Sequence, residues 1–496
     1  MNERRARWIA LALLGVAVLV AVVALVLPNV LLRSDFLRKQ INKDPDSGWL
    51  EYDAASSRWP GTLHVKNFRF RDRDPKAEWA MSLDEADVTY SLGDLLRRRF
   101  HVTSLSGRGG VFRVRSRLTP AEAKSKTLVS RLPPIAGFSD PPLLGPPERK
   151  PPRSGKVWTI QIDRLVIDDL REVWVEGYRC TGESRLTGGF FLRPEQRAEI
   201  FPSKLGIRRG TIRSGKDVIA ADVEATFDAR FDPWNPRELR GSKVLAALFG
   251  EAQATARLDD AEIVNRLLGE PAGTRFERGS GRMTVRASVD GGVVAGSIAY
   301  EARDLTLRAL DVAMRGRFDG RLELSGIRME NWGGGRLNGG HVSLTDGTAL
   351  DRDGSRYPWW ARVDFSSGEF RPKTAALFTT KATARARNAQ PLLQIAGVDL
   401  PGWAVRFLRL DEAMTGRADV RVGNSLLELK RLAARSGKVE IFGDYAARNR
   451  ARNGTFLVDA GLLSVGIGTG TGEKQVRIFG PRKWFRERTG WEPEKD

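Results

Sequence analysis

The chain has 496 residues, with 81 Lys and Arg against 61 Asp and Glu, and therefore a formal net charge of +20. Its one cysteine, Cys180, excludes an intramolecular disulfide and any cysteine-based metal cluster. The three histidines, His64, His101 and His341, lie far apart in sequence. Beyond any membrane segment, the length supports two or three compact domains or one elongated one.

Trp8–Leu27 carries neither charge nor strong polar group. As a helix it spans ~30 Å, the thickness of the hydrocarbon core of a bilayer. A buried core helix rarely lacks a polar face over such a length, and a signal peptide has a shorter apolar run and a small-x-small cleavage site. The run reads as a retained transmembrane anchor. Arg4, Arg5 and Arg7 precede it, while Arg33, Arg38, Lys39 and Lys43 follow, so basic residues alone do not orient it. The short basic tail before the apolar run is the format of a signal anchor, with the N-terminus cytoplasmic and the bulk of the chain outside. The scarcity of cysteine then fits a bacterial envelope protein with a large core. Three readings of the basic excess compete: nucleic-acid binding, anionic lipid or glycolipid binding, and a solvated face. The anchor argues against nucleic acid; the other two stay open.

Leu31–Asn42 has the spacing of a short amphipathic helix leaving the membrane. Trp49, Tyr52 and Trp59 follow, at a membrane interface or in a local core. From Pro60 the period is two. Leu63 and Val65 share a face; the phase shifts at Lys66-Asn67, which predicts a bulge, and Phe68 and Phe70 resume. Trp79/Met81/Leu83, Val88/Tyr90/Leu92, Phe100–Leu105 and Phe112/Val114 continue the strands, with Leu92–Leu96 read as a turn. Thr119–Gly155 holds four proline pairs. Such backbone cannot donate to a ladder, and the stretch reads as a solvated linker or surface loop.

Strands resume with Trp158/Ile160/Ile162, Leu165/Ile167 and Val173/Val175. The cleanest alternation is Ile219, Ala221, Val223, Ala225, Phe227, Ala229 and Phe231, with Asp222, Glu224, Thr226, Asp228 and Arg230 opposite. Short helices are predicted at Ser242–Phe249, at Ala261–Leu268 with Asp260 as N-cap, and at Gln390–Ala396. Between and after them, strands run from Met283 to Ile467. The fold class is thus mainly β: an N-terminal transmembrane helix, then an elongated, curved antiparallel sheet with a few short helices.

No catalytic constellation stands out. HExxH, CxxC and a G-x-S-x-G elbow are missing, and Gly466–Gly472 lacks the Lys-Ser/Thr ending of a phosphate loop and reads as a turn. Adjacent carboxylates at Asp168-Asp169 and Asp259-Asp260 point opposite ways on a strand and make no acid/base couple. No catalytic, cofactor or metal residue is assigned, and the chain is not expected to be an enzyme. His64 and His101 read as surface or satisfied residues, and Asn453-Gly-Thr as a chance glycosylation match.

Several stretches together resemble the AsmA-like proteins of Gram-negative envelopes, relatives of the TamB assembly proteins. They are the anchor ending Leu27-Pro28, Gly48–Tyr52, Trp59–Phe70, Leu83–Leu96 and Gly109–Arg115. Further on come Pro391–Gly397, Thr415–Gly423, Leu427–Gly443 and Gly461–Ile467. The middle, residues 179–282, resembles the family weakly. The resemblance implies a periplasmic β-groove held at the inner membrane, with an apolar lumen that shields acyl chains. It implies phospholipid movement between membranes and outer-membrane or envelope biogenesis, with a possible envelope protein partner, no cofactor and no nucleic acid. The competing reading is a structural or adaptor protein that carries no lipid. The expected segments are 1–30 (tail and anchor), 31–118 (first β segment), 119–155 (Pro-rich linker), 156–480 (main groove) and 481–496 (polar tail). For the lumen, Ile219, Ala221, Val223, Ala225, Phe227, Ala229 and Phe231 are the candidate lining. The small alanines on that face leave room for a chain, whereas a close-packed core needs large partners opposite them.

Overall fold

The computed structural model describes residues 39, 42 and 48–493, save 74–75, 146–156, 240, 269–273, 311, 332, 351–355, 372–376, 396, 398–411, 450, 462 and 471–474. The expected anchor, Trp8–Leu27, and nearly all of the exit helix lie outside them. Among the described residues no helix is long and apolar enough to cross a membrane. The chain divides into two units, Met1–Gly250 and Glu251–Asp496. Both are sheets of long strands with few short helices.

Unit 1 holds β1 (Trp49–Glu51), β2 (Ala54–Ser56), β3 (Thr62–Arg73), β4 (Ala77–Tyr90), β5 (Arg99–Ser116), β6 (Thr159–Val175), β7 (Tyr178–Arg193), β8 (Arg197–Ser214) and β9 (Asp217–Trp234). Helix α1 (Leu92–Leu96) replaces the expected turn, because the Ser91 hydroxyl caps it by accepting from Asp94 N. From β3 to β9 each strand pairs with the next.

The registers carry apolar rows straight across the strands. One row runs Leu50, Phe70, Met81, Phe112, Val173, Cys180, Ile212, Ala220. A second runs Ala55, Val65, Ala86, Gly107, Ile167, Leu186, Leu205, Phe227. Paired residues share a face, so these rows define an inner surface, and polar rows such as Arg71, Ala80, Arg113, Trp174, Arg179, Arg213 define the outer one. Leu83, Ala86, Ile167 and Leu170 are buried together on the inner side.

Five strands carry a left-handed residue in their middle part. Asn67, Gly109, Asp169, Arg209 and Asp222 all have left-handed backbone, with φ between +49° and +66°. Arg209 and Asp222 sit at register shifts and Gly109 and Asp169 beside one, whereas β3 keeps a single register with β4 through Asn67, so the bulge expected at Lys66-Asn67 is a left-handed residue without a two-against-one bulge. A bulge bends its strand and sharpens the local twist.

One pairing departs from the expected pattern. Among the described strands of this unit, β5 and β6 alone are parallel. A parallel neighbour requires the chain to return to the end it started from, and residues 117–158 make that return. The Pro-rich stretch is therefore not free backbone. Its described part lies on the outer face, beside α2 (Lys126–Val129). Extended Pro-rich backbone has no internal hydrogen bonds, so its carbonyls remain open to donors. Arg71 donates to Ala136 O at 2.7 Å, Arg113 to Pro134 O at 2.9 Å, and Arg115 to Pro133 O at 3.0 Å and Ser139 O at 2.9 Å. Arg115 is fully buried; it also pairs with Glu78 at 2.8 Å and with Asp140. The guanidinium row fastens the strap to the sheet.

Strand β10 (Leu248–Leu258) begins in the last residues of unit 1, and unit 2 goes on with β11 (Thr274–Arg278), β12 (Gly281–Asp290), β13 (Val293–Ala309), β14 (Val312–Arg328), β15 (Gly335–Leu350), β16 (Arg356–Phe370) and β17 (Phe378–Ala386). After them come β18 (Met414–Gly423), β19 (Leu426–Ser436), β20 (Val439–Arg448), β21 (Ala451–Asp459), β22 (Ser464–Thr469) and β23 (Gln475–Arg477). Its helices are α3 (Glu262–Leu268), α4 (Gln390–Ile395) and α5 (Pro481–Thr489). From β12 to β23 each strand pairs antiparallel with the next. Gly466–Thr469 belongs to β22 and is not a turn. The expected polar tail contains α5, whose Phe485 is fully buried with Phe442 and Leu457 and stacks edge-on against Trp491, 5.2 Å between centroids.

Candidate functional site

The site grows out of one apolar row of unit 2. The register aligns Met283, Tyr300, Gly320, Val342, Val363, Ala384, Gly416, Ala434, Ile441 and Val458. The neighbouring row runs Arg282, Glu301, Asp319, Ser343, Arg362, Arg385, Thr415, Arg435, Glu440 and Asp459. A one-residue offset thus separates a hydrocarbon face from a charged one.

The inner face is not filled everywhere. Gly320, Gly340, Ala382 and Ala384 alternate with larger side chains. At Gly320 lies a cavity of about 260 Å³. An apolar cavity of about 150 Å³ suffices to hold benzene. The walls are Ile298, Tyr300 and Leu307 of β13, Phe318 and Leu322 of β14, Leu337 and Val342 of β15, Phe365 of β16, and Phe378 of β17, with Phe276 from β11. Gly320 is the position where a side chain is not tolerated freely: a Cβ there would come within 3.0 Å of the Phe318 ring. Its absence lets that ring lie down beside the cavity.

Three rings form one wall. Phe276 and Phe318 meet edge to face at 5.5 Å, Phe276 and Tyr300 at 6.4 Å, and Tyr300 and Phe318 at 5.8 Å, tilted. Such geometries add ~0.5–1.5 kcal/mol per pair beyond area burial.

Helix α3 closes one end. The Asp260 carboxylate accepts from Glu262 N at 2.9 Å, the cap expected from sequence, and Ala261, Ile263 and Val264 are buried. Asn265 ties the helix to β11: its side-chain NH₂ donates to Phe276 O at 2.8 Å, and its carbonyl accepts from Phe276 N at 2.9 Å. Val264 and Asn265 line the cavity. Helix α4 covers a different part of the inner face. The Tyr445 hydroxyl donates to Ile395 O at 3.2 Å, and the Trp359 indole N–H to Asn388 O at 3.3 Å.

Tyr300 is 6% exposed, and its hydroxyl has no hydrogen-bond partner among the described residues. Burial, and secondarily the charge on Asp260, push its pKa up to about 12. It remains a protonated donor throughout the physiological range.

The residues expected to line a lumen lie in unit 1, on β9. Val223 and Ala225 are buried, Ala229 and Phe231 partly so, and Phe227 is 38% exposed. Phe227 pairs with Leu205 and Phe231 with Ile200, both on the inner face. Ile219 and Ala221 fall out of step. Ala220 is the residue that pairs with Ile212 in the inner row, because the left-handed bulge at Asp222 shifts the phase. None of these seven lines the cavity of unit 2. The cavity residues Phe276, Tyr300, Phe318 and Asn265 were not singled out from sequence. The available signal was a strand carrying Phe318-x-Gly320 opposite another carrying Ile298-x-Tyr300.

Other polar clusters are structural in geometry. His64 meets Asp87 at 2.8 Å, and His341 meets Asp319 at 2.7 Å. His101 is held between Asp94 at 2.8 Å and Asp163 at 2.7 Å. Both hydrogen bonds raise its pKa and tie α1 to β6. Cys180 lies in the inner row, and burial raises its thiol pKa. Among the described residues no group of three or more His, Cys, Asp or Glu is placed to hold a metal ion. No family model, curated protein or solved structure matches the chain.

Proposed function

We propose that this chain is an AsmA-like protein of the Gram-negative envelope, anchored in the inner membrane by Trp8–Leu27 with its bulk in the periplasm. On this reading its apolar inner surfaces take phospholipid acyl chains and serve phospholipid transport between membranes. The observation that carries the reading is the cavity of about 260 Å³ on the inner face of unit 2, walled by aliphatic and aromatic side chains from adjoining strands. Each methylene moved from water into such a space contributes ~0.8 kcal/mol, so a chain is held without specific contacts. The polar outer face keeps the same strands soluble. The chemistry is binding and transfer, not catalysis.

A second reading is a structural or adaptor protein for envelope assembly. What favours it is the packing of unit 1, where Leu83 and Ile167 are each only 2% exposed and fill their own inner face.

A photo-crosslinking side chain at Val342, in the cavity wall, and at Val223 and Phe227, on β9, separates the two in cells expressing the full chain. Phospholipid captured at Val342 supports the conduit. Capture of protein alone at all three positions overturns it and leaves the adaptor.

A further inference from the structure

The start of β3, the end of β4 and the starts of β5 and β6 lie side by side, since Thr62 pairs with Thr89, Tyr90 with Val102, and Arg99 with Thr159. The turns at this end of unit 1 expose large apolar side chains. Trp59-Pro60-Gly61-Thr62 has the form of a type II turn: Pro60 and Gly61, at φ +86°, take its centre, and Thr62 N donates to Trp59 O at 3.0 Å. The Thr62 hydroxyl donates to Trp59 O at 2.8 Å and accepts from Trp59 N at 3.2 Å, and the Ser57 hydroxyl donates to Trp59 O at 3.0 Å. The backbone of Trp59 is thus held while the residue is 70% exposed. Beside it, α1 exposes Leu92 and Leu96, the latter to 90%; a Cβ on Gly61 would lie 4.0 Å from Leu92 Cγ. Arg58 precedes Trp59, and Arg97 and Arg98 follow Leu96. All three arginines are exposed, and their side chains have no ion pair or hydrogen bond among the described residues. The nearby carboxylates of Asp94 and Asp163 are both taken by His101, at 2.8 and 2.7 Å.

We propose that this end of unit 1 docks on the surface of an anionic phospholipid bilayer, with Trp59, Leu92 and Leu96 entering the interface and Arg58, Arg97 and Arg98 lying among the phosphates. Contiguous exposed apolar groups rimmed by polar ones mark an interaction surface. The charge and the layering favour lipid. Each apolar tip has a cation within one or two residues, which repeats the order of a bilayer interface, hydrocarbon beneath phosphate, and Trp is enriched at that depth. Each guanidinium without a counter-charge gains about fivefold in affinity close to an anionic membrane. The proposal rests on the anchor reading above and extends it. Residues 28–48, which join the Trp8–Leu27 run to β1, can span up to ~70 Å, against ~30 Å along β3 from Arg71, the partner of Trp49, to Thr62. The chain is therefore long enough for the membrane that holds the anchor to be the one this end meets.

The test uses the full chain reconstituted into vesicles, with Cys180→Ala so that one introduced cysteine carries an environment-sensitive fluorophore. A label at Leu96→Cys is compared with one at Lys216→Cys, which is exposed in the β8–β9 hairpin at the opposite end of the strands. In vesicles containing phosphatidylglycerol, spin-labelled lipid should quench the Leu96 label at least about threefold more than the Lys216 label. Arg58→Gln, Arg97→Gln and Arg98→Gln together, or Trp59→Ser alone, should remove most of that difference while the chain still floats with the vesicles. Equal quenching at the two positions overturns the docking. So does a Leu96 label that shifts to the blue without being quenched, since a protein surface then covers it, and so does undiminished quenching in phosphatidylcholine alone. The anchor reading fails separately: a parent that floats only with anionic vesicles, and an arginine variant that floats with none, would keep the docking and remove the anchor. A parent that floats with no vesicle overturns both.

Discussion

Removing the Tyr300 hydroxyl should stabilise the lipid-free protein. The ring keeps its contacts with Phe276 and Phe318, at 6.4 and 5.8 Å, when Tyr300 becomes Phe. What is lost is a buried hydroxyl with no partner among the described residues. Leaving such a group unsatisfied costs ~1–3 kcal/mol, so Tyr300→Phe should gain about 1–2 kcal/mol. For a unit of this size that is roughly 2–8 °C in Tm. Tyr445 supplies the opposite control in the same unit. It is 3% exposed, and its hydroxyl donates to Ile395 O. Tyr445→Phe should therefore lose ~0.5–1.5 kcal/mol. Urea unfolding followed by tryptophan fluorescence measures both. If Tyr300→Phe is destabilised by as much as Tyr445→Phe, the Tyr300 hydroxyl has a partner within the protein, and the reasoning is refuted.

Three further outcomes follow from the same geometry. Arg115→Met should destabilise unit 1 by ~3 kcal/mol, since it leaves the buried Glu78 carboxylate with the 4.0 Å contact to Arg117 in place of the Arg115 pair, and should expose the strap to protease between residues 131 and 145; unchanged cleavage would mean the arginine row does not hold it. Adding Glu78→Leu to Arg115→Met should recover part of the loss, measured by the same denaturation. His101 is raised by its bonds to Asp94 and Asp163, so its contribution is complete below its unfolded pKa of ~6.5 and is lost as pH rises through the higher folded value. Asp94 is lowered, first by its bond to His101, and its contribution is lost as pH falls through its folded value. The stability of unit 1 should decline on both sides of a mildly acidic window, and His101→Gln should flatten the alkaline limb; an unaltered profile would assign the dependence elsewhere.

Most strands were legible from period-two alternation, but β7 and β8 were not, and local signals located some irregularities. A polar pair between two apolar phases marked the left-handed residue Asn67, though not a bulge, and Asp before an apolar helical run gave the α3 cap. The failures have physical causes. Alternation over Ile219–Phe231 is uninterrupted in the sequence, and only the left-handed backbone at Asp222 puts Ala220 in the inner row. An aspartate takes that conformation without leaving a mark in a hydrophobicity pattern. The proline pairs showed extended backbone but not its partners, because the arginines that bind them come from β3 and β5. The C-terminal segment reads as polar since Arg482, Lys483, Arg486 and Arg488 surround the one buried ring, Phe485. The cavity was least legible of all. Its wall is assembled from several strands, with only one to three of the named residues from each.

The position of the cavity follows from where small residues align. On β9 the alanines stand next to one another along a single strand, and neighbouring strands offer Ile207, Leu205 and Ile200 to cover them. Space left by one strand is then filled by the side chains of the next. In unit 2 the small residues align across strands: Gly340 lies between Leu322 and Phe365, and Gly320 between Tyr300 and Val342. A small residue flanked on both sides by large ones opens a depression whose walls are already made. Phe276, carried by the short β11 and clamped by Asn265, then adds the remaining side. The volume a ligand can enter is therefore set by cross-strand register, with composition along any one strand deciding only which face is apolar.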